Sequence, residues 1–391
     1  LISSHHIILV SVEIHMAANM VKMIKKFCRE FSEAWLLLCS LQFWKMAVFW
    51  ILSLLISYSK LFIPALFGRK REFYPRCPTP PMPPSTSPRP VCIVTGASSG
   101  LGEAAALALS KEGFCVVLAG RSPPLLSKAI IGIKVQNKDA HLKAFHVDLS
   151  SFPSMLTFVE SLRQWLSDSN MHQSIQLLIN NAGILATSSR LTVDGYDQMM
   201  ETNYLGAFFL TKLLLPLLRN SPLPSRIVNV TSFTHRAVFS VQIDKEIVAG
   251  TCYSKARDYP FAHIYEFSKL CLVLFSYKLH RQLVSIDKSA QISVNAADPG
   301  AVDTRIMREL PSCLSSMASM TLKLLGLLQL PENGINSILD AALAPVGLSG
   351  RYFFGGKGRS IDSSALSHNA RLMQNLWETS SNMFSEERER S

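Results

Sequence analysis

The stretch "RPVCIVTGASSGLGEAAALALSKEG", residues 89–113, runs from an apolar segment through three spaced glycines into an Ala/Leu-rich one. Residues 91–94 read as a buried strand and residues 103–111 as a helix. Between them, Gly96-x-x-x-Gly100-x-Gly102 makes a turn whose missing side chains let backbone approach a pyrophosphate. The helix N-terminus favours that negative charge. The spacing is not GxGxxG, the usual dinucleotide fingerprint, so the glycines take their meaning from the order strand, turn, helix.

The same alternation continues outward. "FCVVLAGRS" is a second strand ending at Arg121, and "HLKAFHVDLSS" a third ending at Asp148. "IQLLINNAGIL" is a fourth ending at Asn180–Gly183, "SRIVNVTS" a fifth ending at Thr231–Ser232, and "QISVNAADPG" a sixth ending at Pro299–Gly300. Apolar helical segments such as "GAFFLTKLLLPLLRN" separate them. Strands alternating with helices predict an α/β fold, a doubly wound, Rossmann-type parallel sheet with helices on both faces. In such a sheet ligands bind at the carboxyl ends of the strands, where the polar groups fall. "HIYEFSKL", residues 263–270, sets Tyr265 and Lys269 on one helix face. Alone, the pair reads as a core-edge tyrosine beside a solvated lysine, and its meaning depends on the other motifs.

From about residue 90 to 380 the chain resembles the short-chain dehydrogenase/reductase family. Seven motifs stand in family order: "TGASSGLG", "VDLS", "NNAG", Asn203 of "ETNYLGAFFLT", Ser232 of "IVNVTS", "YEFSK" and "DPGAV". "LTVDGYDQMMETNYLG" and "ALAPVGLSGRYF" are similar to its retinol-dehydrogenase-like branch, which includes the X-chromosome-encoded dehydrogenase/reductase type. The 33 residues from Ser232 to Tyr265 fit that branch's longer insert.

The resemblance implies a catalytic tetrad of Asn203, Ser232, Tyr265 and Lys269. Tyr265 would be the acid, or the base in reverse, and Ser232 would hydrogen-bond the substrate oxygen. Lys269 would donate to the nicotinamide ribose, and Asn203 would hold a water relaying protons to Lys269. A free phenol titrates near 10. An ammonium about 4 Å away, at an effective dielectric near 20, favours phenolate by about 4 kcal/mol, so a lowered Tyr265 pKa is expected.

For the cofactor, the resemblance implies contacts from Gly96, Ser98, Ser99, Gly100, Leu101 and Gly102 at the glycine turn. Asp148 and Leu149 would meet the adenine, and the backbone of Asn181, Ala182 and Gly183 the ribose. Pro299, Gly300 and Thr304 would frame the nicotinamide, with Tyr265 and Lys269. At the end of the second strand, Gly120-Arg121-Ser122 offers no acid to accept from the ribose hydroxyls and exclude a phosphate. Arg121 can fork onto a 2′-phosphate, so NADP(H) is expected over NAD(H). The alternative is a solvated strand-end arginine.

Composition bounds the rest. With 48% hydrophobic and 17% charged residues, the 391-residue chain can bury a large core. Residues 1–90 hold 11 Lys/Arg against 4 Asp/Glu, +7 of the total +11, leaving +4 for the remainder. A nucleic-acid-binding face on the main body is thereby disfavoured. The eight cysteines show no CxxC or Cys/His metal spacing, so no metal is expected. Cys92, Cys115 and Cys271 read as small buried hydrophobes of a reduced compartment.

Residues 1–33 read as a leader, with Met16, Met20 and Met23 as candidate starts. Within residues 34–67 the only charges are Lys45 and Lys60, which predicts an apolar helix before the body. Two readings stand: a membrane anchor or hairpin, and a helix packed on the main domain. "MAVFWILSLLISYS", residues 46–59, is short of the roughly 20 residues a span needs. The segment reaches that length if Lys60 snorkels. Residues 68–90 are a basic, proline-rich linker, and a domain boundary falls there before the body at 91–380.

After "DPGAVDT", residues 307–330 are rich in Leu and Met, where the family places its substrate lid. They read either as a lid on its own core or as a lipophilic entrance facing a bilayer. With an anchor, this favours a hydrophobic alcohol or carbonyl: a retinoid, steroid, polyprenol or fatty aldehyde. The sequon Asn229-Val230-Thr231 lies on the fifth strand, inaccessible once folded. The catalytic body is therefore expected on the cytosolic or stromal side of an endoplasmic-reticulum or other organelle membrane. Oligomeric state is open, and residues 381–391 read as a polar tail fraying into solvent. The rival functions are a catalytically silent dinucleotide-binding sensor or scaffold of the same fold, and an interaction protein recruited through the prolines.

Overall fold

The computed structural model describes residues 15, 19–23, 25, 30–32, 34–67, 73–78, 89–254, 256, 258–286 and 292–391. Most of the 1–33 leader, the bases at 69–71 and the prolines between 79 and 88 lie outside the described residues. Seven strands form one sheet: β1 Val91–Thr95, β2 Cys115–Gly120, β3 His141–His146, β4 Leu177–Asn180, β5 Ser225–Val230, β6 Ile292–Asp298 and β7 Tyr352–Phe354. Their order is β3-β2-β1-β4-β5-β6-β7, every neighbouring pair parallel. The winding reverses between β1 and β4, which opens a crevice above their carboxyl ends.

The strand sequences explain the two covered faces. Every residue of β1, β2, β5 and β6 is buried, hence the near-continuous apolar runs of β1 and β2. Alternate residues serve opposite layers: Val91 and Ile93 join one core cluster, Cys92 and Val94 the other. β3, at the edge, exposes His141, Lys143 and His146 instead. The sheet thus has the expected parallel, doubly wound form, with one strand more than the six read from sequence. The three residues of β7 are too few to carry a periodic signal and join by pairing with Ala296–Asp298.

The helix Leu41–Leu66 precedes the body. Met46, Ser53, Leu54, Ser57 and Leu61 are buried and Trp50 and Tyr58 half-buried, a stripe at three- and four-residue steps. That stripe packs on the body. The opposite face exposes Val48, Leu52, Leu55 and Ile63. At the other end, the helix Ala370–Arg390 corrects the expected frayed tail. Residues 381–390 stay helical because Glu387 is buried, accepting from the Tyr196 hydroxyl at 2.5 Å and from Arg390 at 3.0 Å.

Candidate active site

Asn203 lies in a π-helical turn, Glu201–Leu205, a widening that re-aims a side chain within a helix. Its buried amide is held by two residues. Oδ1 accepts from the Ile184 N–H at 2.8 Å and Nδ2 donates to the Ile184 carbonyl at 3.0 Å. Nδ2 also donates to Ser268 Oγ at 3.1 Å. Ser232, just beyond β5, caps the 3-10 turn Phe233–Ala237 by accepting from the Thr234 N–H at 3.3 Å. Tyr265 and Lys269 stand one turn apart on the helix Phe261–Ile286. Lys269 Nζ lies 5.6 Å from the Tyr265 ring centre and donates to the Val230 carbonyl at 3.1 Å. A methyl added to Gly183 would come within 3.4 Å of both Asn203 Oδ1 and Lys269 Nζ. That glycine keeps the space between them open.

Burial dominates the protonation states. It pushes the Tyr265 phenol above its ordinary value; nearby Asp298 adds to the rise, and a hydrogen bond with Ser232 opposes it. The lowered phenol expected from sequence is therefore corrected. Desolvation by burial, with Asp298 beside it, outweighs the bond from Ser232. Burial also lowers Lys269 to about 8, against the pull of Asp298. Asp298 is itself pushed up to about 6 by burial, although Tyr352 donates to it at 2.7 Å and the Gly300 N–H at 2.9 Å.

A cleft of about 400 Å³ opens at the β1/β4 switch point. Gly96, with φ of 67°, comes so close to the next turn that a Cβ would stand 2.9 Å from Ala182 Cα. A Cβ on Gly102 would overlap the Gly96 carbonyl oxygen. Thr95 ties the two turns together: its Oγ1 accepts from the N–H groups of Asn181 at 3.0 Å and Ala182 at 3.1 Å. Ser99, at the N-terminus of the helix Gly100–Lys111, makes no side-chain cap. A bare cradle with unclaimed N–H groups at a helix start fits a dinucleotide pyrophosphate.

Gly96, Ser98, Ser99, Gly100, Leu101 and Gly102 line this cleft, as do Arg121, Leu149, Asn181, Ala182, Gly183 and Thr304. Asp148 does not. Its own turn holds it, the carboxylate accepting from the Ser150 N–H at 3.0 Å and from Ser150 Oγ at 2.6 Å. Pro299 and Gly300 stand beyond β6, outside the cleft wall, where Gln329 Nε2 donates to the Pro299 carbonyl at 3.2 Å. Thr202, Arg305 and Arg308 also line the cleft, and sequence reasoning missed them. The arginines just after Thr304 were a usable signal. Trp50, whose ring centre is 5.6 Å from that of Tyr265, gave none.

Residues 90–243 match the family model for short chain dehydrogenase. Human polyprenol dehydrogenase is 33% identical over 317 residues, covering 79% of this chain and 89% of that one. Human retinol dehydrogenase 13 is 31% identical, covering 76% and 86%. An angucycline C-6 ketoreductase solved with bound NADP shares the fold, with TM-score 0.53 at 23% identity over 69% of this chain and 95% of that one. The chain belongs to the short-chain dehydrogenase family and is an oxidoreductase of alcohol and carbonyl groups. Its place within the family is the retinol-dehydrogenase-like branch.

Proposed function

We propose that the protein is an NADP(H)-dependent oxidoreductase that interconverts a lipophilic alcohol and its aldehyde or ketone while held at a membrane by the helix Leu41–Leu66. The convergence of Asn203, Ser232, Tyr265 and Lys269 beside the glycine cradle carries this reading. The nicotinamide, when bound, supplies a hydride to the carbonyl carbon or takes one from the alcohol. In reduction, the Tyr265 hydroxyl gives its proton to the developing alkoxide oxygen, which the Ser232 hydroxyl also hydrogen-bonds. A phenol kept protonated by burial suits that donor role. In oxidation the same oxygen takes the alcohol proton, and the Lys269 ammonium favours the phenolate left behind. Lys269 would also donate to the nicotinamide ribose, and Asn203 would hold a water at the gap kept by Gly183. A silent scaffold would need the cradle but not these four groups.

Arg121 is exposed at the end of β2 with no acid beside it, and Arg305 and Arg308 add positive charge to the cleft. A charge-assisted bond of about 1.5–3 kcal/mol to a 2′-phosphate gives an NADPH:NADH ratio of kcat/KM above about tenfold. The ratio should fall towards one in Arg121→Ala. A wild-type ratio at or below one contradicts the preference.

Two surfaces support a lipophilic substrate and a bilayer. The lid helix Ser312–Leu324 buries only Leu314 and exposes Met317, Met320 and Leu324 at helical spacing. The far face of the N-terminal helix is equally apolar, and its stretch Leu41–Ile63 is long and apolar enough to cross a membrane. The two human relatives, named for polyprenol and retinol, point the same way. We place the catalytic body on the cytosolic or stromal side. Protection of that body from protease in intact microsomes would overturn this topology.

A further inference from the structure

Trp50 lies 216 positions before Glu266, yet its indole N–H donates to Glu266 Oε1 at 2.6 Å. Its ring is 5.6 Å from that of Tyr265, tilted by 42°. Two adjacent residues of the helix Phe261–Ile286 therefore grip one side chain, Tyr265 by its ring and Glu266 by its carboxylate. Glu266 is buried, and burial pushes its acid up to about 7 while the indole bond opposes the rise. A buried carboxylate left without that donor is costly, so the contact is specified rather than incidental.

Two further contacts hold the same helix in register. Ser57 Oγ accepts from Arg236 Nε at 3.0 Å, on the turn that Ser232 caps. The Tyr58 ring meets Phe354 edge-on at 5.1 Å, at the end of β7. Trp50, Ser57 and Tyr58 are seven and eight residues apart, which places them on one helix face. A membrane tether needs length and apolar surface. It needs no hydrogen bond to the acid beside the proposed proton donor.

We propose that Trp50 is a positioning residue for Tyr265, so that the helix Leu41–Leu66 completes the active site as well as tethering it. The Trp50 ring and Lys269 Nζ each lie 5.6 Å from the centre of the phenol ring, and packing by such neighbours keeps a side chain in one rotamer. The proposal rests on the reading of Tyr265 as the proton donor.

The test uses the full chain in detergent micelles with NADPH and, as probes, retinal, a prenyl aldehyde and decanal. Trp50→Ala should lower kcat by at least about tenfold, as misplaced catalytic groups do, and leave the KM for NADPH within about twofold of wild type. Trp50→Phe keeps a ring but strands the acid, and should lose less. Glu266→Gln keeps an acceptor oxygen and should stay near wild type. Pairing Trp50→Phe with Glu266→Leu, which removes both polar partners, should recover part of the loss. Wild-type kcat in Trp50→Ala, with Tyr265→Phe silent, overturns the proposal. Should Trp50→Ala fail to bind NADPH, Trp50→Phe decides, and an unchanged kcat there overturns it. Turnover surviving in Tyr265→Phe, or absent from wild type on every probe, instead removes the proton-donor reading on which the proposal rests.

Discussion

At the cofactor end of the cleft the contacts are local to two turns. Thr95 ends β1 and Gly96 follows it, Asn181, Ala182 and Gly183 follow β4, and hydrogen bonds of 2.8–3.1 Å join Thr95 to Asn181 and Ala182. At the catalytic end, Tyr265 has as neighbours Lys269, one turn along its own helix, and Trp50, brought from far upstream. The first end is a backbone cradle that any dinucleotide-binding relative can build from glycines. The second is assembled from distant side chains, and there a family sharing one fold can differ in what it reduces.

Gly102→Ala should break the first end alone. Its methyl would overlap the Gly96 carbonyl oxygen and approach Asn181 Nδ2 at 2.7 Å. Overpacking of backbone against backbone costs up to about 3 kcal/mol, so NADPH affinity should fall about a hundredfold in a titration. An unchanged affinity would mean that the cradle is not the cofactor site.

Lys269→Met tests the cost of building the second end. Lys269 is held at about 8 in the fold, below the ordinary lysine value of 10.5. The unfolded chain therefore binds more protons between those two values. The destabilisation is full below about pH 8 and fades as pH rises towards the ordinary value. Lys269→Met should unfold with about 2 kcal/mol more stability at pH 7, after some loss of packing. In denaturant melts, that advantage should shrink above pH 8.

Gly183→Ala probes the seam between the ends. Its methyl would fill the gap between Asn203 and Lys269. If Asn203 holds the relay water we propose, kcat should fall about tenfold with a smaller change in NADPH affinity, since losing that water impairs proton transfer. A change in NADPH affinity alone would assign Gly183 to the cradle and not to the relay.

The contrast between the two ends also explains what the sequence made legible. Glycine turns, apolar strands and the Tyr265–Lys269 step are written over a few residues, and six strands could be read from them; the tetrad we propose came from the family motifs. Cys92, Cys115 and Cys271 are buried, as their apolar surroundings implied, and so is Asn229 of the sequon, as its place on the fifth strand implied. Features decided by tertiary burial were not legible. The net upward push on Tyr265 and the buried Glu387 that keeps the final helix intact belong to this group. Trp50 is the clearest case: within "MAVFWILSLLISYS" nothing separates an aromatic bound for lipid from one bound for Glu266. Of the two readings that its sequence left open, the apolar helix shows the packed one on its buried face, and its exposed apolar face is the surface that the proposed membrane tether would use.

The most direct test of the central claim follows NADPH oxidation by the full-length protein with lipophilic aldehydes, beside Tyr265→Phe. We predict turnover in the wild type and a loss of about a thousandfold in the variant, the range of general acid catalysis, with NADPH affinity retained. Wild-type protein that binds NADPH without turning over any of them, or a variant that turns over like wild type, would contradict the account.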